Sequence, residues 1–167
     1  MNNYQRNDRR NGQGGGQWYG QQNGRGGGNK GDKPAKNYAI SDRFKSEWIT
    51  TGVNDACMEL CEELAKDMVD KRVSSSFLRN IFGELRRLEA GNFENHRSEF
   101  VMLRPKMAYA CGRAIERNPK SKDVLDALLE FYKKMASKVD TTAHFKNLVS
   151  VMEAIVAFHK AFGGSSK

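Results

Sequence analysis

From residue 38 onward, apolar positions recur every three to four residues, and no stretch of any length alternates with the period of two that a half-buried strand requires. A short piece over residues 41–49 has Phe44 and Trp48 at i, i+4, enough for one apolar face. The first long helix is predicted over residues 54–71. Asn54 is placed as its N-cap, and Cys57, Leu60, Cys61, Leu64 and Met68 lie on one side. A second follows the serine run Ser74, Ser75, Ser76 and stops at Gly91 and Asn92, with Phe77, Leu78, Ile81, Phe82, Leu85 and Leu88 inward. A third opens near Asn95 or, on the tighter reading, near Pro105, since proline suits a first helical turn and not an interior. It ends before Asn118 and Pro119. Ser121 is expected to cap a fourth, with Val124, Leu125, Leu128, Leu129 and Tyr132 inward. Asp140 or Thr141 opens a fifth that carries Phe145, Leu148, Val149, Met152, Ile155, Val156 and Phe158 to a Gly163-Gly164 stop. The pattern predicts an all-α fold, a compact bundle of about five helices.

Residues 1–37 follow a different rule. Ten of the sixteen glycines fall before residue 32, among Asn, Gln and Arg with almost nothing aliphatic. Such a segment cannot bury enough surface to offset its chain entropy, so the expected organisation is a disordered Gly/Asn/Gln/Arg-rich tail over 1–37 and a helical domain over 38–167. Tyr4, Trp18 and Tyr19 beside Arg6, Arg9, Arg10 and Arg25 give the tail the character of segments that bind single-stranded nucleic acid loosely. A solubilising leader would have the same composition.

Charge sharpens the picture once it is divided by region. Of the formal net charge of +8, the tail supplies seven Lys/Arg against two Asp/Glu. Residues 71–120 carry eleven Lys/Arg against five acids, whereas residues 54–70 carry one Lys against six. A positive middle and an acidic first helix suggest one surface for a polyanion and another for a basic partner or a neighbouring copy, unless the two pair internally. On the second helix Arg79, Gly83 and Arg86 form one polar stripe. On the third, Lys106, Ala110, Arg113 and Arg117 form another with Tyr109 at its edge. Small residues between cations let a sugar-phosphate strand approach, and guanidinium forks take its non-bridging oxygens. Positions i and i+7 lie about 10 Å apart, within reach of neighbouring phosphates. Such contacts hold a backbone without reading bases. Either stripe alone is equally an ordinary solvated face.

Catalytic chemistry finds little support. His96, His144 and His159 are scattered and read as surface or internally satisfied residues. Glu59, Glu62, Glu63 and Asp67 have no histidine partner for a di-metal bundle site, and no strand precedes a glycine-rich phosphate loop. No catalytic residue, metal site or cofactor is expected. Cys57, Cys61 and Cys111 are odd in number with no CxxC spacing and read as free thiols. No run reaches the roughly 18 to 20 apolar residues of a membrane span, so a cytoplasmic location is expected.

Residues 73–88, VSSSFLRNIFGELRRL, and 103–113, LRPKMAYACGR, resemble signature segments of the small subunit of type III-A CRISPR effector complexes, the Csm small subunit family. The stretch FKNLVSVMEAIVAFHKAF over 145–162 is similar to that family's last helix. The resemblance spans about 54–162 and excludes the tail. It implies a non-catalytic helical bundle, present in several copies, stacked along the guide RNA and target RNA duplex in antiviral defence. Guide–target pairing would supply specificity, and other components would supply catalysis, namely the backbone subunit as target nuclease and the large subunit with DNase and cyclic oligoadenylate activities. It places RNA-backbone contacts on Arg79, Lys106 and Arg113. Stripe geometry adds Arg86, Arg117 and Tyr109. The competing reading is a free-standing RNA-binding or annealing protein whose tail does most of the binding. A small metal-dependent nuclease is the reading from a different class.

Overall fold

A computed structural model of the chain describes residues 40–165, and every statement of structure below concerns those residues. Two single-turn helices, α1 (Ile40–Arg43) and α2 (Glu47–Thr50), precede five longer ones: α3 (Asp55–Asp70), α4 (Ser75–Ala90), α5 (Arg97–Arg117), α6 (Lys122–Ala136) and α7 (Thr142–Ala161). Short 3-10 turns, Phe93–His96 and Pro119–Ser121, lead into α5 and α6. Among the described residues there is no strand, as the periodicity predicts. The tail over 1–37 lies outside them.

Caps fix most of the boundaries. The Asn54 side chain accepts from the Cys57 N–H at 3.1 Å and the Ser74 hydroxyl from the Phe77 N–H at 3.2 Å. Thr141 accepts from the His144 N–H at 3.2 Å. Each satisfies one of the donors a helix start leaves unpaired. Ser121 differs from expectation. It sits at the start of α6 in helical geometry and makes no cap bond, because the turn before it already continues into the helix and its hydroxyl donates instead to the Asn118 carbonyl at 2.7 Å.

The core forms around α7, which packs on α2, α3 and α4, while α5 packs on α4 and α6. The expected face of α3 is buried, and Leu78, Leu85 and Leu88 of α4 are buried with it. Phe77, Ile81 and Phe82 are only partly covered, because α4 has α7 on one side and α5 on another and its remaining arc is open. Phe131, which faces inward from α6, contacts Phe44 and Trp48 edge-on at 6.2 Å. Phe44 and Trp48 meet at 5.9 Å although the chain breaks helix between them. Cys57, Cys61 and Cys111 are buried free thiols. Burial pushes the Cys111 thiol up to about 12, with the Asp126 carboxylate adding to the effect.

The tighter start for the third helix does not hold. Pro105 lies inside α5, which runs from Arg97. A proline there lacks the N–H that would bond the carbonyl of Val101, four residues earlier. Both residues are exposed, and Val101 is 59% accessible, so the break falls on the solvent side of α5, where an orphaned carbonyl costs least, and the helix continues.

Candidate nucleic-acid interface

The geometry of the basic surface begins at the end of α3. The Val73 N–H bonds the Met68 carbonyl and the Arg72 N–H bonds the Val69 carbonyl, both at 2.9 Å or less. This is the Schellman closure, which needs a left-handed residue at the position Arg72 occupies, and Arg72 has φ +57°. Glycine is the usual choice at such a site. The buried Met68 and Val73 close the motif from beneath. Across the cleft, the Asn118 side-chain amide donates to the Lys71 carbonyl at 2.6 Å, tying the end of α5 to this turn. Arg72 and Arg117 are thereby brought to the same groove.

That groove runs between the first turns of α4 and the last turns of α5 and encloses about 570 Å³. Arg72, Arg113 and Arg117 line it, with Ser74, Ser76, Asn80, Tyr109 and Asn118 among its other polar residues, and no carboxylate does. The Arg113 guanidinium donates to the Tyr109 hydroxyl at 3.2 Å and lies 5.9 Å from the ring centroid. Tyr109 is 66% exposed, so the ring is braced by the cation and open to solvent. The start of α4 faces the same space, with the Ser75 and Phe77 N–H groups already bonded to the Ser165 carbonyl and the Ser74 hydroxyl. Three guanidiniums and an accessible aromatic ring thus share one open groove.

Other residues singled out by spacing fall elsewhere. Lys106 lines a smaller cavity that adjoins the groove, with its ammonium 3.6 Å from the Glu84 carboxylate. Arg79 and Arg86 line neither cavity. Arg86 pairs with Glu89 at 2.6 Å and lies 5.9 Å from the Phe82 ring, and the open face of Gly83 lies between it and Arg79. The two stripes are therefore separate faces. Arg72 escaped sequence reasoning because no periodicity reaches into a turn. The acids of α3 have partners close by, Glu62 with Lys66 at 2.7 Å and Glu63 with Arg43 at 2.5 Å. Among the described residues, no three His, Cys, Asp or Glu side chains gather as metal ligands, and no helix is long and apolar enough to cross a membrane.

A protein-family model described as Csm2 Type III-A matches residues 54–165, well over half of the chain. The chain belongs to the Csm2 type III-A family. Membership makes it a small subunit of a type III-A CRISPR complex, in a family that is generally a structural, non-catalytic component. No curated protein and no solved structure matches this chain. The matched span of this Csm2 chain starts on the N-cap of α3 and ends on Ser165, whose carbonyl accepts from the Ser75 N–H at 2.8 Å. The family region thus closes on itself at the start of α4, beside the groove.

Proposed function

We propose that this Csm2 subunit binds RNA through the α4–α5 groove and lines the guide RNA and target RNA duplex by sequence-independent backbone contacts, without catalysis of its own. The observation that carries the reading is the acid-free groove, where Arg72, Arg113 and Arg117 converge. Guanidinium forks there take non-bridging phosphate oxygens in charge-assisted bonds, which give affinity and register without base reading. Lys106 and Tyr109 extend the track along α5, and Arg79 with Arg86 form a flanking row on α4. The partners are the guide and target RNA, the backbone and large subunits, and neighbouring copies, for which the acidic side of α3 offers a complementary surface. The setting is cytoplasmic antiviral defence.

The test is the salt dependence of RNA binding by the full chain. Replacing Arg72, Arg113 and Arg117 together with alanine is expected to weaken binding uniformly across sequences and to make the log–log salt slope shallower by about two units, at roughly 0.7 per single-strand phosphate contact. An unchanged slope overturns the groove assignment. Deleting residues 1–37 separates the groove from the tail. Retained affinity supports the groove, and collapse of affinity supports a tail-driven binder.

A further inference from the structure

The groove and its smaller neighbour share Asn80 and Ala110, which line both. The smaller cavity encloses about 170 Å³ and is walled by Ile81, Leu85, Leu103 and Met107. Tyr132 of α6 lines it as well. That residue is 1% exposed, and its hydroxyl has no hydrogen-bond partner among the described residues. Trp48 Nε1 and Ser75 Oγ are buried without partners as well, but of the three residues Tyr132 is the one that lines a cavity, where a partner from outside can approach it. The mouth is polar, with the Asn80 amide and the Glu84 and Lys106 charges around it.

An apolar cavity of about 150 Å³ is known to admit a benzene molecule, so a six-membered ring fits this one. A ring with apolar faces and a polar edge uses every part of it. The faces meet the aliphatic walls, while ring carbonyl and N–H groups meet Tyr132, Asn80 and Glu84. An apolar protein side chain would leave the hydroxyl without a partner. We propose that this cavity is a pocket for one unstacked single-ring nucleobase of an RNA strand whose phosphates lie in the adjoining arginine groove. The proposal rests on the backbone reading above and adds base occupancy to it. Ala110, which first stood out as a small residue between cations, becomes the sill over which the base enters. Sequence preference stays low, because either pyrimidine presents a carbonyl edge to the hydroxyl.

The experiment compares binding of the full chain, at one salt concentration, to a short oligouridine and to an abasic RNA strand of the same length. Wild type is expected to favour oligouridine by about tenfold, the scale of one well-held base. Ala110→Leu, at a residue that lines both cavities, should fill the entrance and erase the preference for oligouridine over the abasic strand, whatever it does to abasic binding. Tyr132→Phe, which removes one oxygen from a packed ring, should lower oligouridine affinity a few-fold and leave abasic binding unchanged. It decides the matter alone if Ala110→Leu does not fold. Equal wild-type affinity for the two strands overturns the pocket and leaves the backbone reading intact. An oligouridine preference that survives the substitutions places the base contacts elsewhere and also overturns the pocket. Absence of binding to both strands overturns the backbone reading, and the pocket falls with it.

Discussion

Arg72→Gly should make this protein more stable and a poorer RNA binder. The residue holds φ +57° in the closure of α3, a conformation in which a side chain costs roughly 1–2 kcal/mol against a right-handed one. Glycine removes that cost but loses about 0.5–1 kcal/mol through its greater freedom in the unfolded chain. The net expectation is a gain of about 0.5–1 kcal/mol, or about 2–4 °C in Tm for a domain of this size. The hydrogen bonds of the closure run from backbone N–H groups that glycine retains, so nothing else in the turn is lost. Against this gain stands the removal of one of three guanidiniums from the groove, which should flatten the salt slope by about 0.7. Arg72→Ala separates the two effects, since it discards the charge and keeps the backbone cost. The assay is a thermal melt beside an RNA titration at several salt concentrations. A Tm for Arg72→Gly no higher than that of Arg72→Ala refutes the backbone argument. An unchanged slope for both variants refutes the phosphate contact.

Two further outcomes concern the end of α7 and the segment after it. A Cβ added at Gly164 would lie 2.1 Å from the His159 ring and 2.7 Å from the His159 carbonyl oxygen. Because a backbone atom cannot step aside, Gly164→Ala should cost about 2 kcal/mol, read as a lower denaturation midpoint at unchanged m-value. His159 is buried with a ring N–H donating to the Val73 carbonyl at 2.9 Å, and burial, partly offset by that bond, holds its pKa below the 6.5 of a free imidazole. The unfolded chain therefore takes up this proton first on acidification. The stability contributed by the neutral ring is complete above pH 6.5 and declines as pH falls below it. Melts taken from neutral pH to about pH 5.5 should show a smaller loss for His159→Gln than for wild type, and equal losses would contradict the account.

The helices that could be read from sequence were those whose ends are set locally. Asn54, Ser74 and Thr141 cap through side chains within three residues, so their positions were visible before any tertiary contact was known. α5 was harder for two reasons. Its solvent side carries Val101 and Met102, both more than half exposed, which blurs the apolar stripe that marks a buried face. Pro105 then suggested a boundary, and whether a proline ends a helix depends on what becomes of a carbonyl four residues back, which is a matter of exposure. The cations of α5 were legible because spacing alone puts Lys106, Arg113 and Arg117 on one side. The groove that Arg113 and Arg117 line was not, since it exists only where α4 packs on α5 and the Asn118 amide holds the turn at Lys71.

Three departures from local rules in this domain lie in or near one cleft, while a fourth, the buried indole N–H of Trp48 with no partner among the described residues, lies apart against Phe44 and Phe131. An arginine occupies a turn position that favours glycine, a proline interrupts the solvent side of α5 one residue before Lys106, and the Tyr132 hydroxyl is buried without a partner beside a cavity. Asn54 and Thr141 cap α3 and α7 in the expected way, and the aliphatic core is closed. Sequences agree with their folds at most positions, and the exceptions concentrate where a site requires something that stability alone would not select. Each of the three exceptions here borders the α4–α5 cleft or lies on the helix that forms its wall. A basic stripe on a solvated helix would need none of them. A cleft that holds phosphate on one side of Ala110 and a ring on the other accounts for the arginine and the hydroxyl together, whereas the proline follows from the exposure of the α5 face that carries Tyr109.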